Sequence, residues 1–142
     1  MLAGSIALAI AAAFAGAAFY VNFAEHPARM VLPAAEAVQQ WRPAYHRGFI
    51  MQASLAVAGG ACALLQWWLS GQLVWLIGGL LLLANWPYTL LVIMPVNRRL
   101  EAGQPGSDPE TSALLRQWNR LHTVRSGLGL LSVGTLLLGA VY

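Results

Sequence analysis

The chain has 142 residues, of which 58% are hydrophobic and 9% are charged. This composition is too apolar for a soluble domain of that length, so it excludes a protein that is surrounded by water on all sides. The formal net charge of +3 comes from arginines that are spread over segment ends rather than clustered on one hydrophilic face, which argues against nucleic acid as a partner.

Four apolar stretches are long enough to cross a membrane as helices. A helix rises about 1.5 Å per residue, so about 20 apolar residues span roughly 30 Å of hydrocarbon. Lipid offers no partner to unpaired backbone groups, which favours helices. The sequence therefore predicts one all-α membrane domain, a four-transmembrane-helix bundle. The spans are predicted at about residues 2–23, 48–69, 73–96 and 121–141, with connections at about 24–47 and 97–120.

The arginines predict which side of the membrane the connections face. The turn between the second and third spans, Ser70-Gly71-Gln72, is short and uncharged, whereas the two long connections and the turns beside them hold the arginines. Because basic residues favour the cytoplasmic side, both long connections are predicted to be cytoplasmic and both termini extracytoplasmic. The predicted location is the bacterial inner membrane.

Each long connection is predicted to contain helix. In the first, Pro33 precedes residues 34–41, which predict a short separate helix at the membrane surface. In the second, residues 103–106 predict a turn, after which Ser107 or Asp108 is expected to cap a helix that runs into the fourth span.

Polar residues at membrane depth are costly and usually face a bundle interior, so their spacing indicates a site. Spacings of three, four and seven residues place side chains on one helical stripe. Pro27 is expected to kink or end the first helix. Helix hairpins bring the cytoplasmic ends together, so one shared pocket is predicted there. Its residues are Asn22, Glu25, His26 and Arg29; Tyr45; Asn85, Thr89 and Asn97; and Trp118, His122 and Arg125. The other arginines, Arg47 among them, are interpreted as anchors to lipid headgroups.

Three strings carry a resemblance to a known family. They are FYVNFAEHPAR at residues 19–29, NWPYT and MPVNRRL at residues 85–89 and 94–100, and WNRLHTVR at residues 118–125. Together they resemble the anthrone oxygenase-like family of small four-span membrane proteins, over nearly the whole chain. The resemblance implies a membrane-embedded monooxygenase that uses molecular oxygen to oxidise an anthrone-like polyketide, or another hydrophobic cyclic or phenolic substrate, to a quinone.

The first hypothesis for the reaction is an oxygenase that needs no bound cofactor. His26 or His122 is the candidate base, because an imidazole titrates near neutral pH, and Glu25 is placed to orient an imidazole. The residues expected to stabilise the developing oxyanion are Arg29, Asn97 and Arg125. The residues expected to bind the substrate are Asn22, Tyr45, Asn85, Thr89 and Trp118.

Two further hypotheses stay open. Two imidazoles and a carboxylate, from His26, His122 and Glu25, suit iron, copper or zinc, and two facing histidines suit haem. Alternatively, the chain is a small proton-coupled transporter or a lipid- or quinone-binding module, with Glu25 taking part in proton coupling. The lipid bilayer and a hydrophobic small molecule are the expected partners under all three hypotheses.

Overall fold

A computed structural model describes residues 1–102 and 108–142 of the protein. These residues form four helices, α1 (Leu2–Arg29), α2 (Ala34–Ser70), α3 (Leu73–Glu101) and α4 (Asp108–Val141), each long and apolar enough to cross a membrane. Within the described ranges there is no strand. The prediction of an all-α bundle with four membrane-spanning helices is therefore confirmed. The turn predicted at residues 103–106 and the cap predicted at Ser107 lie outside the described residues.

The four helices pack so that α1 and α3 each contact both α2 and α4. The hairpin between α2 and α3 turns at Gly71, whose φ is +71° and whose N–H donates to the Trp67 carbonyl at 2.7 Å. Glycine has no Cβ, so it adopts this left-handed conformation without strain. The terminal amine of Met1 donates to Gln66 Oε1 at 3.1 Å, which places the N-terminus at the same end of the bundle as this turn.

The second and fourth helices extend well beyond the stretches predicted to cross the membrane. The residues predicted to form a separate helix before Trp41 are instead the first turns of α2, which runs through Pro43 to Ser70. The helical conformation of residues 34–41 is therefore confirmed, but its prediction as a short helix at the membrane surface is wrong, because Ala37 and Trp41 are buried in the bundle core. This packing offsets the hydrogen bond that Pro43 does not donate. The continuous helix predicted at the start of α4 is confirmed.

Two π-helical turns, Val21–Glu25 in α1 and Thr89–Ile93 in α3, shape the end of the bundle where the polar residues lie. Each turn comes just before a proline, Pro27 or Pro95. A proline ring clashes with the carbonyl four residues earlier, which here lies in the middle of the π turn. The wider π turn accommodates the proline ring. The hydrogen-bond pattern of α1 therefore changes locally, and the helix continues to Arg29.

The core consists of two apolar clusters. One contains Phe14, Trp75 and small residues of α1 and α2 near the hairpin turn. The other contains Trp41, Ile93 and Trp118 toward the opposite end. Along α2, α3 and α4, buried polar residues occur between the positions that supply these two clusters: Gln52, Asn85, Thr89, His122, Arg125 and Ser126.

Candidate functional site: a polar cavity between the helices

A cavity of about 300 Å³ lies between the helices. This is at the lower end of the range for small-molecule sites, which is about 300–1,000 Å³. All four helices line it, as the sequence predicts for a shared pocket. The predicted site residues that line it are Glu25, Arg29, Tyr45, Asn97, Trp118, His122 and Arg125.

Four of the predicted site residues do not line this cavity. Asn22 does not border the cavity and instead donates hydrogen bonds to Asn119 of α4. His26 is buried at 6% exposure but does not border the cavity. Asn85 and Thr89 border a second, much smaller cavity of about 10 Å³ that also touches Arg125. Direct contact with a ligand in the large cavity is therefore favoured for the other residues and not for these four.

Arg29 and Glu25 form an ion pair on the α1 wall of the cavity. The Arg29 side chain donates to the carboxylate of Glu25 and to the side-chain oxygen of Gln40. Its guanidinium carbon also lies 5.7 Å from the ring centroid of Trp118, a cation–π contact between α1 and α4. The charge of Arg29 is therefore already compensated within the protein.

Asn97 lines the cavity and fixes its side-chain amide against Trp118. Its side-chain oxygen accepts a hydrogen bond from the indole N–H of Trp118 at 2.8 Å, which fixes the orientation of the amide. The amide nitrogen of Asn97 makes no hydrogen bond within 3.5 Å among the described residues, although the residue is completely buried and the Tyr45 hydroxyl is its nearest acceptor on α2. A buried donor without a partner is costly, so an acceptor atom of a ligand is favoured here.

Arg125 is a buried cation without an acidic partner in the described part of the chain. The residue is 7% exposed, its Nε has no hydrogen-bond partner there, and it makes no salt bridge. Its guanidinium carbon lies over the ring of Phe14, an apolar core residue, at 5.8 Å from the ring centroid. Since an uncompensated buried charge costs several kcal/mol, Arg125 strongly favours an anionic group in the cavity.

The His122 ring contacts Asn22 on the side away from the cavity. The Nδ1 atom of His122 lies 3.2 Å from Asn22 Oδ1, which also accepts a hydrogen bond from the Ser126 hydroxyl at 2.6 Å. The imidazole is 3% exposed and packs near Trp118, with the ring centroids 5.1 Å apart. His122 thus combines a titratable ring in the cavity wall with a fixed anchor outside it.

The sequence reasoning identified Tyr45 on α2 but missed six other cavity residues of that helix, among them Gln52, Gly48 and Arg47. Gln52 is buried and its Oε1 has no partner among the described residues, while Gly48 and Arg47 line the cavity nearer the end of the helix. The signal was present, because Gln52 is a polar residue inside an apolar span, seven positions after Tyr45 and on the same helical stripe. Arg47, interpreted as a lipid anchor, borders the cavity while remaining exposed.

The cavity opens sideways between α1 and α2. Tyr20 of α1 and Met51 of α2 both line it, yet they are 59% and 49% exposed on the outer surface of the bundle. Both residues lie within helices that are apolar enough to cross a membrane. The opening therefore faces the flank of the bundle, where lipid is expected.

The predicted metal ligands do not converge. Across residues 1–102 and 108–142, no three His, Cys, Asp or Glu side chains lie close enough together to hold a metal ion. Glu25 is paired with Arg29, and His26 lies outside the cavity that His122 lines. These three residues therefore do not form a shared three-ligand metal site in this arrangement, and the chemistry below is derived from the side chains.

Fold and cavity together define a class: a four-helix membrane bundle with a ligand-sized cavity that has cationic and hydrogen-bonding groups on its walls. A sequence model described as anthrone oxygenase matches residues 41–135, well over half of the chain. The chain therefore belongs to the anthrone oxygenase family, as the resemblance predicts. The match includes Asn97, Trp118, His122 and Arg125. No curated protein and no solved structure matched the chain.

Proposed function

We propose that this protein is a membrane-embedded oxygenase that converts a hydrophobic cyclic or phenolic substrate of the anthrone type to a quinone with molecular oxygen. The observation that carries the proposal is that buried His122 and the buried, unpaired cation Arg125 line the same cavity. Membership of the family supports the type of reaction. The arginine distribution supports an orientation with the cavity end toward the cytoplasm, and the proposed location is the bacterial inner membrane.

His122 is the proposed base. In an anthrone, the ring methylene is acidic because its conjugate base is an enolate whose negative charge lies largely on oxygen. His122 accepts the methylene proton, a step that a positioned imidazole accelerates by about 10²–10⁴-fold. His122 is preferred to His26 because only His122 lines the cavity.

Arg125 and Asn97 are proposed to stabilise the enolate oxygen. Arg125 supplies a positive charge that the described acidic residues do not neutralise, and Asn97 supplies an amide N–H without a partner. Both groups are buried, so their attraction for a developing oxyanion is stronger than it would be in water. Arg29, already paired with Glu25, contributes to the shape of this wall and to its packing on Trp118.

The enolate is electron-rich enough to transfer electrons to oxygen without an added reductant. In the overall reaction, a ring CH₂ and O₂ give a ring C=O and H₂O. Two C–H bonds and the O–O bond break, the carbon is oxidised by four electrons, and dioxygen is reduced by the same four. One oxygen atom stays in the quinone and the other leaves as water.

The experiment that tests this proposal uses protein purified in mild detergent, an anthrone as the substrate and ¹⁸O₂ as the oxidant. We expect one ¹⁸O atom in each new quinone and a rate well above that of the enzyme-free reaction in the same detergent. The control for spontaneous oxidation is His122→Gln protein at the same concentration. If the anthrone binds but the rate equals the enzyme-free rate, the oxygenase proposal fails and the quinone-binding alternative takes its place.

A further inference from the structure

The hydrogen bonds around Asn22 determine which nitrogen of His122 carries the proton. The Nδ2 atom of Asn22 lies 3.1 Å from the backbone oxygen of Asn119 and 2.7 Å from the side-chain oxygen of the same residue. Both of these atoms are acceptors, so only the NH₂ group of the Asn22 amide can face them. The opposite orientation would bring three oxygens together without a proton between them.

The fixed amide places the Asn22 oxygen toward His122. This oxygen already accepts a hydrogen bond from the Ser126 hydroxyl, and it has no proton to donate. The contact of 3.2 Å to Nδ1 is therefore a hydrogen bond only if Nδ1 carries the proton. In the neutral imidazole the other ring nitrogen, Nε2, then has a free lone pair.

We propose that Asn22 is a positioning residue that holds His122 in the Nδ1–H form, so that Nε2 is the atom that accepts the substrate proton. This inference rests on the proposed function for its catalytic part. Asn22 does not line the cavity, which means that the ring edge it holds points away from the ligand. The Nε2 edge remains for the cavity. Asn22 thus acts on the reaction through His122 and not through the substrate.

The arrangement joins α1 to α4 as well as fixing the ring. Asn22 lies in the π turn of α1, and Asn119, His122 and Ser126, three of its partners on α4, lie on successive turns. Thr123 also lies within 3.2 Å of the Asn22 amide nitrogen. Every polar atom of the Asn22 side chain therefore has a partner on α4, which is why one residue can set the orientation of the base.

The first measurement is made on the resting protein without substrate. Protein labelled with ¹⁵N in its three histidines is studied by long-range ¹H–¹⁵N correlation in lipid nanodiscs, and His122→Gln identifies the signals of His122. We expect the Nδ1–H form to predominate. A predominant Nε2–H form in a protein that still oxidises anthrone would overturn this inference and leave the proposed function standing. The Nδ1–H form in a protein without turnover would overturn the proposed function and, with it, the catalytic role of Asn22.

The second measurement compares variants of the network. Asn22→Leu removes the acceptor, so we expect a mixture of the two neutral forms and a kcat about tenfold lower, the effect of losing one buried hydrogen bond. KM should hardly change, because Asn22 does not touch the cavity. Ser126→Ala is the matched control, because it removes the other donor to the same oxygen and should leave the ring form unchanged.

Asn22→Leu also tests a purely structural role. If it lowered the amount of folded protein while the folded fraction kept wild-type kcat and the Nδ1–H form, the positioning role would be wrong.

Discussion

The indole N–H of Trp118 in α4 donates to the side-chain oxygen of Asn97 in α3 at 2.8 Å, with Asn97 fully buried and Trp118 only 5% exposed. This bond joins two helices at the wall of the cavity and leaves the Asn97 amide nitrogen free. One residue pair therefore contributes both to the stability of the bundle and to the binding of a ligand oxygen.

Asn97→Leu is expected to destabilise the protein. The substitution leaves the buried Trp118 N–H without its acceptor, which costs about 1–3 kcal/mol. Thermal unfolding in a fixed detergent measures the change. The control is the double variant Asn97→Leu/Trp118→Phe, in which the unpaired indole N–H is removed as well. Its loss of stability should be smaller than the sum of the losses in the two single variants. Strictly additive effects would show that the bond contributes nothing.

His122→Gln is expected to abolish turnover above the enzyme-free rate while the protein still folds. Glutamine has a similar size and keeps a polar group, but it cannot accept a proton at neutral pH. The measurement is oxygen uptake with an anthrone substrate, alongside size-exclusion chromatography of the variant. His46→Gln is the matched control, since His46 is exposed and pairs with Glu101 outside the cavity. Equal losses in both variants would contradict the role of His122.

Arg125→Gln is expected to remove a preference for anionic ligands. A charge-assisted hydrogen bond contributes about 1.5–3 kcal/mol, which is a preference of roughly ten- to a hundredfold for an anion over its neutral analogue. Calorimetric titration with 2-naphthoate and with 2-naphthalenemethanol measures this ratio. Arg98→Gln is the control, because Arg98 is exposed and does not line the cavity. If the wild type showed no preference, the proposed stabilisation of an oxyanion would lose its physical basis.

Gly48→Leu is expected to weaken ligand binding without destabilising the bundle. A Cβ at Gly48 has no heavy atom within 4 Å, and the residue lines the cavity, so the new side chain occupies space that the ligand needs. Overpacking of this kind costs about 1–3 kcal/mol, or roughly ten- to a hundredfold in affinity. Gly16→Leu is a close control, because its Cβ is equally unobstructed but does not border the cavity. Similar affinities in the two variants would argue that the ligand binds elsewhere.

The cofactor hypothesis is tested by elemental analysis of untagged protein prepared without chelators. We expect substoichiometric iron, copper, zinc and manganese in preparations that retain full turnover, because no three potential ligands converge among the described residues. One metal ion per chain, lost together with activity in both the His26→Gln and His122→Gln variants, would instead support the metalloprotein hypothesis.

The sequence predicts the four helices well, because length and apolar composition alone decide whether a segment can cross a membrane. Seven of the eleven predicted site residues line the cavity, because they lie on inward-facing stripes near the same end of the helices. Asn22 and His26 were expected to share one stripe with Glu25 and Arg29, on the assumption of a regular α-helix. The π turn Val21–Glu25 contains an extra residue per turn, so the positions after it are rotated relative to those before it.

Other differences have equally local causes. The helix predicted to be separate before Trp41 joins α2 because burial of that indole outweighs the effect of Pro43. The tautomer of His122 depends on Asn22, which is 100 positions away in the sequence. No spacing rule within one helix connects these two residues, so their contact emerges only from the packing of α1 on α4.

The sideways opening at Tyr20 and Met51 has a consequence for the way in which activity is measured. A substrate that arrives through this opening is drawn from the bilayer, so the relevant quantity is its mole fraction in the lipid and not its molarity in the buffer. Adding inert lipid at constant total substrate should therefore slow the reaction by surface dilution. Water-soluble analogues that do not partition into lipid should be poor substrates even when their rings match the cavity.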